Sequence, residues 1–388
     1  MGNRYLYYTA ELETLSPVHI GCGEKLTKLD YVFSEQSGTV YVLHPMKLFR
    51  GLQQYRLLET FEKGLPRNTS MTDFLKQNSV PEKAYASWAS YSFAASRDTL
   101  KRGQQEIQKF VKDAYGMPYV PGSGLKGSLR SILATNAVLQ NRSAFANTAD
   151  SVADTIRQEH RKAEHERRSG KKPHFSKAML KRESKGIEAE IFHTLERKKD
   201  KKQDMINDCM AGLIISDSRP VPVDALMLSQ KIDLFGNGEE NVLNTLRETL
   251  KMKTKLTFDI TVDTALCPFS AEKITQAGDS VFSFYDEIFR SKFLDYLPAE
   301  IDPSHEMYLY LGGGTGFHHK TLLNALYANP EQGAECTGKL LDMQFTKAKH
   351  ADFAVREGYS PKAVKTTEYQ NQLEEMGLCK LRFEERNV

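Results

Sequence analysis

The sequence has no long hydrophobic run. None of its apolar stretches approaches the ~20 residues that a membrane-spanning helix needs, and the mean hydropathy over the 388 residues is −0.50. The N-terminal segment MGNRYLYYTAELETL alternates like a strand. It lacks the basic region and the apolar core of a secretory signal peptide. The sequence therefore predicts a cytoplasmic protein with no membrane partner.

Cysteine is scarce as well. The five cysteines stand at positions 22, 209, 267, 336 and 379, and no two are close in sequence. An odd number at these spacings argues against a disulfide framework and against a zinc site built from paired cysteines. The sequence also lacks the nucleophile motif GxSxG, the zinc motif HExxH and an EF-hand loop. We therefore predict no metal site and no catalytic residue.

A strong overall charge is absent too, but the charges are unevenly distributed. The 53 basic and 50 acidic side chains give a net charge of +3. Residues 155–204 hold 16 basic and 9 acidic side chains, a net of +7, so the other 338 residues hold 37 and 41, a net of −4. Four of the ten histidines, at positions 160, 165, 174 and 193, lie in this basic stretch, where we expect a solvated environment. The distribution is therefore more informative about partners than the average.

Short periodic segments predict a mixture of strands and helices. Alternation over residues 4–15 predicts a first strand, and the polar residues 34–38 predict a hairpin turn between two apolar runs. Pro45 is placed to begin a helix. The expected buried face of that helix carries Met46, Phe49 and Leu52. Further strands are expected at 212–215, 226–228, 256–262, 307–311 and 378–383, with helical segments at 282–297 and 321–327.

This order of elements favours an α+β fold. The strands alternate irregularly with helices and are half-buried, which is typical of antiparallel sheets. The length suits two ferredoxin-like (RRM-like) domains with a charged, partly helical insertion between them. We place the N-terminal domain at residues 1–144, the basic insertion at 145–205 and the C-terminal domain at 206–388.

Two glycine-rich segments stand out, Gly122-Ser-Gly-Leu-Lys-Gly127 and Gly312-Gly-Gly-Thr-Gly316. We expect each to be a loop that follows an extended segment and precedes a helix. Such a loop exposes backbone N–H groups beside a positive helix end, which suits phosphate. Cationic or donor side chains accompany both loops, namely Lys126, Arg130, His318, His319 and Lys320.

The glycine spacing does not fit the common nucleotide motifs. The first segment matches GxGxxG by count, but a basic insertion follows where a dinucleotide fold needs an acidic residue. In the second segment His319, not glycine, precedes Lys320-Thr321, so a Walker A loop is not formed. Glycines that serve only tight turns and close packing are the structural alternative. Two separated loops suit the phosphates of a nucleic-acid backbone better than a small cofactor, and we predict no cofactor.

Three motifs resemble the RAMP superfamily of CRISPR proteins. They are VPGSGLKGSLR at 120–130, LSPVHIGCG at 15–23 and LGGGTGF at 311–317. Together with SDSRP at 216–220 and SPKAVKT at 360–366, they resemble most the subunit that caps the 3′ end of CRISPR RNA (crRNA) in type III-A (Csm) effector complexes. One departure is Gly124, which stands where the family usually has a second serine.

The resemblance implies two ferredoxin-like domains and a sequence-independent grip on crRNA. It also implies contact with neighbouring backbone subunits and recruitment of host nucleases that trim the crRNA. The residues expected to bind RNA lie in the three motifs and directly after the last one. They are His19, Gly21, Gly23, Gly122, Ser123, Gly124, Lys126, Gly127, Arg130, Gly312, Gly313, Gly314, Thr315, Gly316, Phe317, His318 and Lys320.

Two residue types could still carry chemistry. Superfamily members that cut RNA mostly use a histidine for acid–base work, which makes His19 and His318 candidates for a metal-independent crRNA-processing endoribonuclease. Asp30 follows the first motif at a distance similar to that of the cleaving aspartate in backbone subunits of these complexes. We favour an RNA-contacting or structural role for His19 and a turn-ending role for Asp30. The leading hypothesis is a non-catalytic crRNA-binding subunit; the alternatives are that endoribonuclease and a backbone subunit of another type III complex.

Overall fold

The computed structural model describes residues 4–64, 70–95, 106–173, 175–176, 178–298, 301, 307–345 and 349–386. Within them the strands are β1 Tyr5–Thr14, β2 Gly21–Leu26, β3 Tyr31–Ser34, β4 Thr39–Leu43, β5 Ala89–Ala94, β6 Ile107–Phe110, β7 Leu213–Ile215, β8 Leu226–Phe235, β9 Glu240–Leu250, β10 Lys255–Asp263, β11 Met307–Tyr310, β12 Ala363–Tyr369, β13 Gln372–Glu375 and β14 Leu378–Glu385. The α-helices are α1 Pro45–Gln54, α2 Leu58–Gly64, α3 Met71–Gln77, α4 Glu82–Ser87, α5 Gly122–Gln140, α6 Ala146–Arg168, α7 Lys181–Phe192, α8 Ala271–Ile288, α9 Pro330–Gln344 and α10 His350–Glu357. His174 lies outside the described residues.

A five-stranded antiparallel sheet in the order β11-β14-β1-β10-β7 is built around the first strand. The strand predicted over residues 4–15 is confirmed as β1. Its buried face carries Tyr8, Ala10 and Leu12, whereas Tyr5 and Tyr7 lie on the more exposed face. Helices α5 and α8 lie against this sheet at β7 and β11. The sheet therefore places the start of α5 and the end of β11, which carry the two glycine-rich segments, beside one core.

The second sheet has nine strands and runs β2-β6-β9-β8-β5-β4-β3, with β12 and β13 joined through β8. Its pairings are antiparallel apart from β5 with β8 and β6 with β9, which are parallel. The predicted turn at 34–38 joins β3 and β4, which pair from Tyr31↔Val42 to Ser34↔Thr39. The hairpin is thus confirmed.

The predicted α+β class is confirmed, and its sheets are largely antiparallel. Both sheets combine strands from the two ends of the chain, since β1 pairs with β10 and β14, and β5 and β6 pair with β8 and β9. The division at residues 144 and 205 stays a prediction, as does the ferredoxin-like form of the two domains. Strand pairing crosses those boundaries in each sheet.

Helix α1 begins at Pro45, as predicted, but its expected buried face is confirmed only at Leu52 and is wrong at Met46 and Phe49. Met46 and Phe49 are 56% and 51% exposed, while Gly51 and Leu52 are buried. A Cβ at Gly51 would overlap the indole ring of Trp88. The absence of a side chain at Gly51 lets that ring pack on the helix and turns Met46 and Phe49 outward.

The basic stretch forms two packed helices, α6 and α7. Val152 and Ile156 of α6 are buried, and the helix lies against α9. The expectation that the histidines of this stretch are solvated is wrong for His160 and His193, each 7% exposed. His193 Nδ1 lies 3.0 Å from the carbonyl oxygen of Lys202, and His160 Nε2 lies 3.7 Å from Asp342 Oδ2. Although its sequence is rich in charged residues, α6 therefore has one apolar face that is buried.

Candidate nucleic-acid interface

The glycine-rich segment 312–316 is a loop at the end of β11, as predicted. Gly312, Gly314 and Gly316 have φ values of +87°, +95° and +98°, a region that residues with a side chain rarely adopt. The expected helix over 321–327 is wrong, because only short 3₁₀ turns at His318–Lys320 and Asn324–Leu326 follow the loop. The glycines are therefore required by the backbone path of the loop.

The loop lies directly on the segment that contains His19. The N–H of Gly313 donates to the carbonyl oxygen of His19 at 2.8 Å. A Cβ at Gly312 would overlap the same oxygen, and a Cβ at Gly313 would lie 3.2 Å from Cδ2 of the His19 ring. Two motifs from opposite ends of the chain thus form one site, which we call the glycine cradle and define as His19, Gly21 and residues 312–316.

His19 is held as a neutral side chain beneath the cradle. The residue is 4% exposed, and its Nδ1 lies 2.7 Å from the carbonyl oxygen of Glu248. Burial lowers the pKa of His19 to about 4, and the positive charges of Arg247 and Lys112 contribute in the same direction. A base this weak is poorly matched to proton abstraction near neutral pH.

Glu248 supports His19 from β9. Its carboxylate is fully buried and accepts hydrogen bonds from Tyr91 Oη at 2.6 Å and from the N–H of Phe110 at 2.7 Å. Lys112 forms an ion pair with the same carboxylate. Three strands of the second sheet, β5, β6 and β9, are thereby joined below the cradle.

Four cations lie near one another beside the glycine cradle, and we call them the cation cluster. They are Lys231, Arg247, Lys320 and Lys365. Arg247 Nη1 lies 2.5 Å from the position that a Cβ of Gly314 would take, and Cγ of Lys365 lies 3.7 Å from that of Gly316. Asp233 pairs with Lys365 at 2.7 Å and with Lys231 at 4.0 Å.

The cation cluster carries an excess of positive charge. Partial burial lowers the pKa of Lys320, and so does the charge of Arg247. Burial likewise lowers the pKa of Lys231, and the charge of Lys365 adds to the effect. Repulsion of this kind is relieved when an anion binds between the cations. The cradle therefore lies in a local excess of positive charge.

The other glycine-rich segment is not a loop. Residues 122–127 form the first turns of α5, which corrects the prediction of a glycine loop before the helix. A Cβ at Gly122 would overlap the backbone of Ser216, and the N–H of Gly122 donates to Asp217 Oδ1 at 2.8 Å. Ser123, Gly124 and Gly127 are exposed on the helix surface. Close approach of α5 to residues 215–217 explains the first glycine, and the carboxylate of Asp217 already caps this helix end.

The cations of this segment have partners within the protein. Lys126 Nζ donates to the carbonyl oxygen of Leu213 at 2.7 Å. Arg130 pairs with Asp208 at 2.7 Å and with Glu188 at 3.1 Å. Arg130 and Lys320 line the same cleft beside α7. The RNA-binding role expected for Lys126 and Arg130 is not tested by these contacts, which favour a structural role for both side chains.

The histidines that follow the loop lie among aromatic side chains. The ring of His319 stacks on Tyr310 with centroids 3.6 Å apart, and the ring of His318 lies 4.0 Å from that of Phe289. Burial lowers the pKa of His318 to about 3 and the pKa of His319 well below its usual value. Phe317 packs with a neighbouring core cluster. The imidazoles of His318 and His319 are therefore uncharged at neutral pH, and the positive charge after the loop comes from Lys320.

Asp30 stands in a turn. Its Oδ2 accepts hydrogen bonds from the N–H of Thr27 at 2.6 Å and from Thr27 Oγ1 at 2.7 Å. This arrangement fits the turn-ending role that we favour.

Gly23, with φ +86°, has no atom within 4 Å of a Cβ position and lies apart from the contacts of the cradle. Within the part of the chain that the structure describes, no group of three or more His, Cys, Asp or Glu residues could hold a metal ion, and no helix is long and apolar enough to span a membrane.

Sequence reasoning missed three members of the cation cluster: Lys231, Arg247 and Lys365. One signal was available, because Lys365 lies within the motif SPKAVKT at 360–366. Arg247 gave no such signal, since β9 (ENVLNTLRETL) does not alternate and was not predicted as a strand. Only the folded sheet brings these side chains to the glycine loop.

Comparison with known proteins decides the family. A model of the RAMP superfamily matches residues 11–317. The chain belongs to the RAMP superfamily. The matched residues include the His19 motif, the start of α5 and the glycine loop.

Curated relatives within the superfamily are CRISPR system Cms protein Csm5 sequences. The Streptococcus thermophilus protein is 28% identical over 83% of this chain and 82% of its own length. The Mycobacterium tuberculosis protein (strain CDC 1551 / Oshkosh) is 26% identical over 98% of both chains. The predicted resemblance to a subunit of type III-A Csm complexes is confirmed.

Two solved structures share the fold. A chain of a Csm–crRNA–target RNA ternary complex from a type III-A CRISPR-Cas system aligns with a TM-score of 0.55 at 18% identity, covering 97% of this chain and all of that chain. The crystal structure of T. onnurineus Csm5 aligns with a TM-score of 0.57 at 19% identity, covering 95% and 99%. At these identities the likeness concerns the fold alone.

Proposed function

We propose that this chain is a non-catalytic, cytoplasmic crRNA-binding subunit of a type III-A effector complex, where it caps the 3′ end of the crRNA. The observation that carries the proposal is the glycine cradle with its cation cluster. Four cations and one carboxylate lie beside a loop in which four of the five residues are glycine. Two comparisons support this proposal. The curated relatives are named as Csm proteins, and one of the solved structures that share the fold is a Csm–crRNA–target RNA complex.

The geometry suits a backbone phosphate. Within the described residues, the N–H groups of Gly314 and Gly316 make no hydrogen bond, whereas that of Gly313 is occupied by His19. Free N–H groups and the guanidinium of Arg247 would therefore hold phosphate oxygens from the same side. Such contacts ignore base identity, as required of a subunit that serves crRNAs of different sequence.

Substitution of Arg247 tests the RNA-binding part of the proposal. For Arg247→Gln we expect weaker binding to single-stranded RNAs of unrelated sequence. The slope of log K against log salt concentration should fall by about 0.7, the value for one phosphate contact on a single strand. Lys63→Ala on α2 removes the same charge from an exposed helix, 80% of its side chain being accessible, and serves as the control. An unchanged slope for Arg247→Gln would overturn the role of the cradle.

The position on the crRNA needs a second experiment. A crRNA with a photoreactive 4-thiouridine at its 3′ end, assembled into the complete complex, should crosslink to this chain. The same label at the 5′ end should crosslink to other subunits. Complexes that lack this chain should carry crRNAs of altered 3′ length. Equal crosslinking from both ends would contradict capping.

The endoribonuclease alternative has a direct test. The purified chain is incubated without metal ions with a repeat-containing RNA. We expect no cleavage, because His19 and His318 are buried bases of low pKa. Cleavage that disappears in His19→Ala would establish the alternative. The contribution of Asp30 is tested in the same way, with target RNA bound to the complex in the presence of Mg²⁺.

A further inference from the structure

One edge of the His19 ring is left open by glycine. Nε2 lies 3.0 Å from the position that a Cβ of Gly21 would occupy, and Cδ2 lies 3.2 Å from that of Gly313. Any side chain at either position would press on this edge. Within the described residues Nε2 has no hydrogen-bond partner, although the residue is 4% exposed. Nε2 of this largely buried residue thus faces Gly21 in the glycine cradle, and the hydrogen bond of the ring is made by Nδ1.

The hydrogen bond on the other side of the ring fixes what Nε2 can do. Nδ1 lies 2.7 Å from the carbonyl oxygen of Glu248, and a carbonyl oxygen only accepts. The proton of the neutral ring is therefore on Nδ1, and Nε2 carries a lone pair. The low pKa of His19 keeps the ring neutral at physiological pH. Nε2 is consequently an acceptor and can bind only a ligand group that donates a hydrogen.

This requirement separates the groups of a nucleic-acid backbone. Phosphodiester and ring oxygens only accept, so Nε2 does not bind them. At internal nucleotides the ribose 2′-hydroxyl is the one donor in the RNA backbone, and DNA lacks it. A terminal 3′-hydroxyl also donates, but it is common to RNA, DNA and 2′-fluoro strands and so gives no preference among them. A phosphate held by Arg247 beside Gly314 would place an adjoining sugar within the same cradle.

We propose that His19 Nε2 accepts a hydrogen bond from a ribose 2′-hydroxyl and so makes the glycine cradle selective for RNA over DNA. The inference rests on the proposed RNA-binding function and adds a chemical basis for discrimination. Gly21 and Gly313 are open for this contact, and Glu248 fixes the tautomer.

The test pairs His19 variants with sugar-modified ligands. Binding of the full-length chain is measured for one single-stranded RNA and for the same strand with 2′-fluoro sugars, which keep an RNA-like pucker but cannot donate. For the wild-type protein we expect RNA to bind about three- to tenfold more tightly, the range for one hydrogen bond. In His19→Asn, whose amide can still donate to the carbonyl oxygen of Glu248 but which lacks Nε2, the ratio should approach one. His19→Gln, which can present an acceptor where Nε2 stood, should retain part of the preference.

Each outcome separates the two proposals. If the wild-type protein binds no RNA, the proposed function fails. If it binds RNA and the 2′-fluoro strand equally, or if His19→Asn keeps the full preference, RNA binding stands and the role of His19 is overturned. A preference that follows base identity instead of the sugar would assign Nε2 to a base amino group and would also overturn the proposal. Because unfolding of either variant is measured in parallel, loss of fold is not mistaken for loss of selectivity.

Discussion

Gly313 donates its backbone N–H to the carbonyl oxygen of His19 at 2.8 Å. A second bond of the same kind runs from the N–H of Gly377 to the carbonyl oxygen of Pro17 at 3.0 Å. The glycine loop, the segment before β14 and the segment after β1 are thus joined to one another by main-chain hydrogen bonds. The phosphate-binding geometry that we propose depends on these three segments together. A substitution that moves any of them should therefore change the geometry of the glycine cradle.

Gly312→Ala should destabilise the fold strongly. A side chain at φ +87° is strained by about 1–2 kcal/mol, and the added Cβ would overlap the carbonyl oxygen of His19, which costs roughly 1–3 kcal/mol more. Gly23→Ala is the matched control, since Gly23 has φ +86° but no atom within 4 Å of its Cβ position. Urea unfolding should therefore separate the two variants by the clash alone. Equal losses would show that the loop can move away from His19.

The first turn of α5 provides a second pair of glycines. Gly122→Ala should lower the free energy of unfolding by about 1–3 kcal/mol, because its Cβ would overlap the backbone of residues 215 and 216. Gly124→Ala meets no atom within 4 Å and should raise stability by up to about 1 kcal/mol through helix propensity. Thermal unfolding of the two variants in parallel checks both signs. A stabilised Gly122→Ala would contradict the close approach of α5 to the strand end.

These glycines also show where sequence reasoning succeeded and where it could not. The loop at 312–316 was predictable, because a run of glycine after an apolar strand has few other uses. Gly122 led to the wrong prediction of a loop, because glycine disfavours helices. Only its contact with residues 215–216 explains why a glycine begins α5. The alternation over residues 4–15 predicted β1, but nothing in it indicated pairing with β14. Long-range pairing also decides the position of Arg247, whose partners come from β6 and the glycine loop.

The buried state of His19 predicts a loss of stability in acid. Its folded pKa of about 4 lies below the usual value of 6.5, so between these pH values the unfolded chain binds a proton that the folded chain does not. The contribution of neutral His19 to the free energy of unfolding is fully present above pH 6.5. It decreases as the pH falls toward 4, by roughly 3 kcal/mol at most. His19→Asn removes this term. The difference in unfolding free energy between pH 7 and pH 4.5 should therefore be smaller in the variant, and an identical pH profile would contradict the buried, neutral ring.

Glu374 should act in the opposite direction. Burial raises its pKa to about 7, and the adjacent charge of Glu375 adds to the effect. The folded protein then holds a proton that the unfolded chain releases, so stability present below pH 4.5 is lost as pH rises through 7. Glu374→Gln keeps the shape without the charge. We expect the variant to be more stable than the wild type at pH 8 by roughly 1–3 kcal/mol and similar at pH 5. Unfolding curves at the two pH values measure this, and a uniform shift at both would argue against titration of Glu374.

Substitution of Lys126 and of Lys320 should have opposite effects, because we expect the first to be a structural cation and the second to bind RNA. Lys126→Ala leaves the carbonyl oxygen of Leu213 without its partner at 2.7 Å, and we expect stability to fall by about 1–2 kcal/mol. Because its ammonium is already engaged, the salt dependence of RNA binding should hardly change. Lys320→Ala should show the reverse, with stability within about 0.5 kcal/mol of the wild type and a slope lower by about 0.7. If Lys126→Ala lowers the slope as much as Lys320→Ala does, the ammonium leaves Leu213 for a phosphate when RNA binds, and the start of α5 belongs to the RNA interface after all.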